Sequence, residues 1–186
     1  MDAFSYLSVL LSIIIGLAIT QVLQGYRALL LHRSRIRFSA PPLIWSALIL
    51  VMATQMWWSS FGLTTHHDWS FLSFSVILLQ TIFLYMMSAI VLPDPPGDAV
   101  LDLSRHYEAE RRPMFLFLVG ALLTSVVKDI ILDGHLSGAE NMGFHLFFGG
   151  FALAGAFLRG KRTHLAIALI AMGAFILYIG LLFARL

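Results

Sequence analysis

The chain contains no cysteine. Disulfides, thiolate metal sites and cysteine nucleophiles are therefore excluded. Charge is also scarce. Only 12% of the 186 residues are charged, whereas 59% are hydrophobic, and a soluble domain carries roughly 25% charge. So little charge cannot clothe a soluble globule of this size. It excludes an ordinary cytosolic domain, a disordered chain and a nucleic-acid binder. The mean hydropathy of +0.86 places the chain in the membrane class, with the lipid bilayer as its surroundings.

Familiar catalytic and cofactor signatures are missing too. There is no G-x-S-x-G, P-loop or Rossmann pattern. His106-x-Glu108-x-Glu110 has the wrong spacing for a zincin. His66-His67-Asp68 is a short loop without partner ligands. A bis-histidine haem needs two facing intramembrane histidines, and only His145 lies near the interior. No metal, cofactor or catalytic residue is expected.

Six apolar runs are present. They predict spanning helices at about Phe4–Leu31, Leu43–Leu63, Ser70–Leu92, Met114–Asp133, Met142–Leu158 and His164–Phe183, since a crossing needs about 20 apolar residues. The whole chain, 1–186, is expected to form one transmembrane domain. Met1-Asp2-Ala3 has no basic residue, and the run from Phe4 outlasts the roughly 7–15-residue core of a signal peptide. A spanning helix is expected there, not a cleaved leader. Between helices 3 and 4, Asp98–Arg112 reads either as an interfacial amphipathic helix or as a solvated connector.

The placement of basic residues predicts orientation. Arg27, Arg33, Arg35 and Arg37 follow helix 1; Arg105, Arg111 and Arg112 precede helix 4; Arg159, Lys161 and Arg162 separate helices 5 and 6. The alternate loops hold none, and the tails add only Arg185. By the positive-inside rule, both termini are extracytoplasmic. Tyr6, Trp57, Trp58 and Trp69 then mark the outer interface, and Tyr26, Trp45 and Tyr107 the inner one. The preponderance of arginine suggests a bacterial inner membrane. Ile82-Phe83-Leu84-Tyr85 and Phe175-Ile176-Leu177-Tyr178 hint at a weak 3+3 inverted repeat, as many transporters have.

Lys128 and Asp129 are charges inside an apolar run. Such residues are functional candidates by default. Adjacent side chains diverge by about 100° on a helix, so each is expected to find its partner elsewhere. Gln55, His145 and Tyr6 fall at similar depth. Together these five residues predict an outward-facing substrate or ion site. The structural alternative is a snorkelling lysine and a polar helix end that fix packing. His145 would either relay protons or serve as a hydrogen-bonded packing residue.

Ser12, Gly16 and Thr20 form a small-residue stripe on helix 1, and Gly149 and Gly150 do so on helix 5. Such stripes serve close packing within a bundle or a homo-oligomer interface. The leading expectation is a small transporter or channel. The alternative is a non-catalytic accessory or assembly subunit of a larger membrane complex. An intramembrane lipid enzyme would need Arg105–Arg112 as a headgroup site and lacks a nucleophile.

Overall fold

The structure is a computed structural model that describes residues 3–94, 97 and 100–182. It contains α1 (Ala3–Leu31), β1 (Ile36–Arg37), α2 (Ala40–Ser59), α3 (Phe71–Ile90), β2 (Leu101–Asp102), α4 (Leu103–Asp133), α5 (Ala139–Phe157) and α6 (Lys161–Leu182). The expected amphipathic stretch falls partly on Asp98 and Ala99, which lie outside the described residues, as does Phe183 at the expected end of helix 6.

Local chemistry explains the helix ends. Pro41 and Pro42 sit in the first turn of α2, where a missing N–H loses no bond. Ser70 and Ser73 form a reciprocal cap on α3. Gly134 stops α4 with φ 74°, a conformation glycine adopts without strain. The start of α4 departs from expectation. Asp102 Oδ1 accepts from the Ser104 and Arg105 N–H groups at 2.9 and 3.2 Å, and the helix runs unbroken through Pro113. Residues 103–112 are therefore the first turns of α4, not a separate interfacial helix. Proline's fixed φ suits a helix, and only one backbone bond is forfeited.

Among the described residues, five helices are long and apolar enough to cross a membrane. The sixth, α5, falls short because Glu140, Asn141 and His145 occupy its first two turns. Large apolar side chains cover the outside: Val9, Ile13 and Leu17 on α1, Leu116, Leu123 and Ile130 on α4, and Leu169, Ile176 and Leu181 on α6. Water would not tolerate so much contiguous apolar surface, whereas lipid solvates it. This is the exterior of a membrane-embedded protein.

The helices close into a ring in the order α1, α3, α4, α5, α6, α2, and α2 also leans inward on α3 and α4. The hinted 3+3 repeat is not seen in this packing. α1 lies along α3, but their counterparts α4 and α6 are not packed to any comparable extent. Close approaches occur at Gly155 against the Phe115 ring, Gly120 against Phe83 and Gly25 against Leu92.

The arginine-bearing links meet at one end of the bundle. Ile36 pairs with Leu101 and Arg37 with Asp102 in a two-residue parallel ladder. Arg35 Nη1 donates to the Gly97 carbonyl at 3.2 Å, and His106 Nε2 donates to the Ile90 carbonyl at 3.0 Å. Arg111 joins the α5–α6 link to the same end.

Candidate functional site

A cavity of about 210 Å³ occupies the half of the bundle away from the arginines, and all six helices line it. α2 contributes Gln55, α3 contributes Gln80, and α4 contributes Ser125, Lys128 and Asp129. Asn141 and His145 come from α5 and Tyr178 from α6. Gln55, Lys128, Asp129, Asn141, His145 and Tyr178 lie toward the helix ends, and Gln80 and Thr81 at mid-length of α3. Leu84, Met87, Leu118, Phe148 and Phe175 form an apolar floor deeper in the bundle.

Four of the expected site residues thus share one cavity: Gln55, Lys128, Asp129 and His145. Tyr6 does not join them. It is 74% exposed, because Leu7, Leu11 and Ile15 form the buried face of α1 and the residue before Leu7 is turned about 100° away. α1 reaches the cavity through Leu11 and Ile15 instead.

The expectation that Lys128 and Asp129 cannot meet is corrected. Lys128 Nζ lies 3.4 Å from Asp129 Oδ1. The backbone directions do diverge, but the four-carbon lysine stem curls back over its neighbour. Asp129 is 8% exposed, and among the described residues neither charge has a second ionic partner.

His145 Nδ1 lies 2.8 Å from the Asn141 carbonyl. A carbonyl only accepts, so Nδ1 carries the proton. In the neutral ring, Nε2 is then left as an acceptor. Tyr178 donates to Asn141 Oδ1 at 3.1 Å and ties α6 to α5 at the cavity rim. Among the described residues, the Gln55, Gln80 and Ser125 side chains make no hydrogen bond to protein. Cavity-lining groups of this kind are free to solvate whatever fills the space. Gln80 was missed by the sequence reading, although it is the one amide in α3. Asn141 was missed too, although it lies one turn from His145.

The small-residue stripes do not serve packing within the bundle. Ser12, Gly16 and Thr20 are all exposed. A Cβ added at Gly16, Gly149 or Gly150 would meet nothing within 4 Å. Each stripe residue on α1 follows a position on or beside the buried face and is rotated off it. Gly155, not expected to matter, makes the close approach on α5.

Beyond the cavity floor the bundle is closed. Trp45 and Phe115 meet edge to face, with ring centroids 4.9 Å apart. Behind them, Tyr107 and His164 are joined at 3.0 Å, and His164 Nε2 lies 3.1 Å from the Leu158 carbonyl. Since Leu158 can only accept there, Nε2 is protonated, and the neutral ring accepts the Tyr107 proton at Nδ1. Arg111 Nη1 lies 2.9, 2.9 and 2.8 Å from the Gly155, Ala156 and Leu158 carbonyls. Trp45, Tyr107 and Arg111 were expected at the inner interface or in a loop, and all three are buried.

These features define a class: a helical, membrane-embedded bundle that holds a partly polar cavity closed at its arginine-rich end. Comparison of the chain with protein-family models, with curated proteins and with solved structures finds no match.

Proposed function

We propose that this protein is a small-solute transporter of a bacterial inner membrane. Both termini and the cavity's polar end face outward, and the arginine-bearing links face the cytoplasm. The observation that carries this reading is the cavity itself. All six helices line it, and it holds a Lys128–Asp129 pair beside the Gln55, Gln80 and Ser125 side chains, which have no protein hydrogen bond among the described residues. A pocket where polar groups converge over an apolar floor is a binding-site arrangement. The Trp45–Phe115 contact blocks the path beyond the floor. A blind pocket fits alternating access, in which one end is open at a time, better than a continuous pore.

The absence of cysteine makes the orientation directly testable. Thr65→Cys is expected to react with an impermeant maleimide in intact spheroplasts, and Ser34→Cys only after permeabilisation. Labelling in the opposite order would invert the proposed topology.

Transport is tested in proteoliposomes. Lys128→Ala and Asp129→Ala are each expected to reduce solute flux by at least about tenfold, the effect of losing roughly 1.4 kcal/mol of binding. Wild-type protein that moves no proton, ion or organic solute would end this reading. The second reading is a non-catalytic accessory subunit. It draws on the outward-facing Ser12, Gly16 and Thr20 stripe, which has open space over Gly16. Gentle extraction followed by mass spectrometry separates the two. A stoichiometric foreign chain supports the subunit, and the chain alone or as a homo-oligomer supports the transporter.

A further inference from the structure

We propose that the cavity binds a small zwitterion of the α-amino-acid type with an apolar side chain: its carboxylate lies on Lys128, its ammonium on Asp129, and its side chain against the Leu84–Met87–Leu118 floor. This rests on reading the cavity as a solute site.

Three observations lead to this chemistry. The first is charge. Lys128 and Asp129 lie side by side in the lining, and the other polar lining groups are amides, hydroxyls and a histidine. An anion that drew Lys128 away would leave the buried Asp129 carboxylate without its partner, and a cation on Asp129 would displace the half-buried Lys128 ammonium. An uncompensated buried charge is strongly unfavourable. A zwitterion exchanges one ion pair for two and strands neither. Its extra hydrogens and lone pairs meet Gln55, Gln80, Ser125 and the His145 acceptor, which have no protein partner among the described residues.

The second observation is the division of the lining. The charged pair sits at one level, and below it the lining turns to Leu84, Met87, Leu118, Phe148 and Phe175. A polar sugar or an inorganic ion would leave that floor unused. An apolar side chain buries against it at about 25 cal/mol per Å². Methionine and phenylalanine suit a site that accepts several side-chain shapes. The third is size. About 210 Å³ is below the roughly 300–1,000 Å³ of drug-sized sites, which limits the occupant to a compact molecule.

The test uses the full-length chain in detergent and isothermal titration calorimetry. The probes are leucine, leucine methyl ester (ammonium only) and 4-methylpentanoate (carboxylate only). Wild type is expected to bind leucine at least about tenfold more tightly than either one-charge probe, about 1.4 kcal/mol for each lost ion pair. Lys128→Met should bind leucine and its ester equally. Asp129→Asn should bind leucine and 4-methylpentanoate equally. Leu118→Phe leaves the charges alone and fills the floor, so it should weaken leucine while sparing alanine. Thermal melting of each variant separates lost binding from lost folding.

Wild type that binds no apolar amino acid, or binds either one-charge probe as tightly as leucine, overturns the proposal. So does retention of wild-type discrimination in both charge variants. The outcome is distinguishable from that of the transport reading. Leucine binding without flux removes the transporter and keeps the zwitterion site; flux of another solute without amino-acid binding does the reverse.

Discussion

Replacing Arg111 with methionine should lower the stability of the folded bundle by about 2–5 kcal/mol, since each buried carbonyl left without its donor costs about 1–3 kcal/mol. The reason lies at the end of α5. The last carbonyls of a helix have no partner within it. Here the Ala154 carbonyl accepts from the Leu158 N–H at 2.8 Å. Those of Gly155 and Ala156 are left over, and both are bonded by Arg111 Nη1 at 2.9 Å.

One Nη carries two hydrogens, so its three acceptors share them. The guanidinium charge also faces the negative end of the helix dipole. Methionine keeps much of the length and volume but donates nothing, and the carbonyls lie where little water can replace the lost bonds. Arg111→Lys should retain part of the stability, since an ammonium preserves charge but not the planar fork. Exposed Arg112 is the control, and Arg112→Met should fall within about 0.5 kcal/mol of wild type. Unfolding titrations in mixed micelles read all three. An Arg111→Met protein as stable as the Arg112→Met control would refute the assignment.

The second large effect is steric. A side chain at Gly155 would run into the ring of Phe115, which is itself fully buried and held by Trp45. The clash is with a buried ring packed edge to face on Trp45. Gly155→Ala should cost about 1–3 kcal/mol, the usual range for overpacking. Gly155→Leu should prevent α4 and α5 from closing and leave little folded protein. Combining Gly155→Ala with Phe115→Leu should recover most of the loss, because the pair removes the collision. Gly16→Ala, with open space around it, should be close to neutral. Equal losses at Gly155 and Gly16 in the same melting assay would count against this packing.

Much of the architecture could be read from the chain because membrane helices announce themselves locally. Each needs a long apolar run, and its ends fall at charge, proline or glycine. The start of α4 escaped because Pro113 resembles a first-turn residue. Only the Asp102 cap, eleven residues upstream, shows that the helix is already under way. The cavity was partly legible. Gln55, Lys128, Asp129 and His145 are expensive residues in an apolar setting, which marks them without knowledge of the fold. Tyr6 was misplaced because depth along a helix was read without its rotation. Contacts such as Tyr107 with His164, 57 residues apart, were beyond reach, since no local pattern encodes which two helices meet. Arg111 was counted among the loop arginines for the same reason.

α4 carries a last consequence. Its 31 residues make a rod of about 46 Å at 1.5 Å per residue, against about 30 Å of hydrocarbon. Arg111 and Asp129 lie on this one rod, about 27 Å apart. The first is clamped to the α5–α6 link, and the second stands in the cavity wall. A stiff helix transmits tilt without loss. Any tilt of α4 that displaces Asp129 must therefore either lever against the arginine clamp or be absorbed where Pro113 has removed a rung from the ladder.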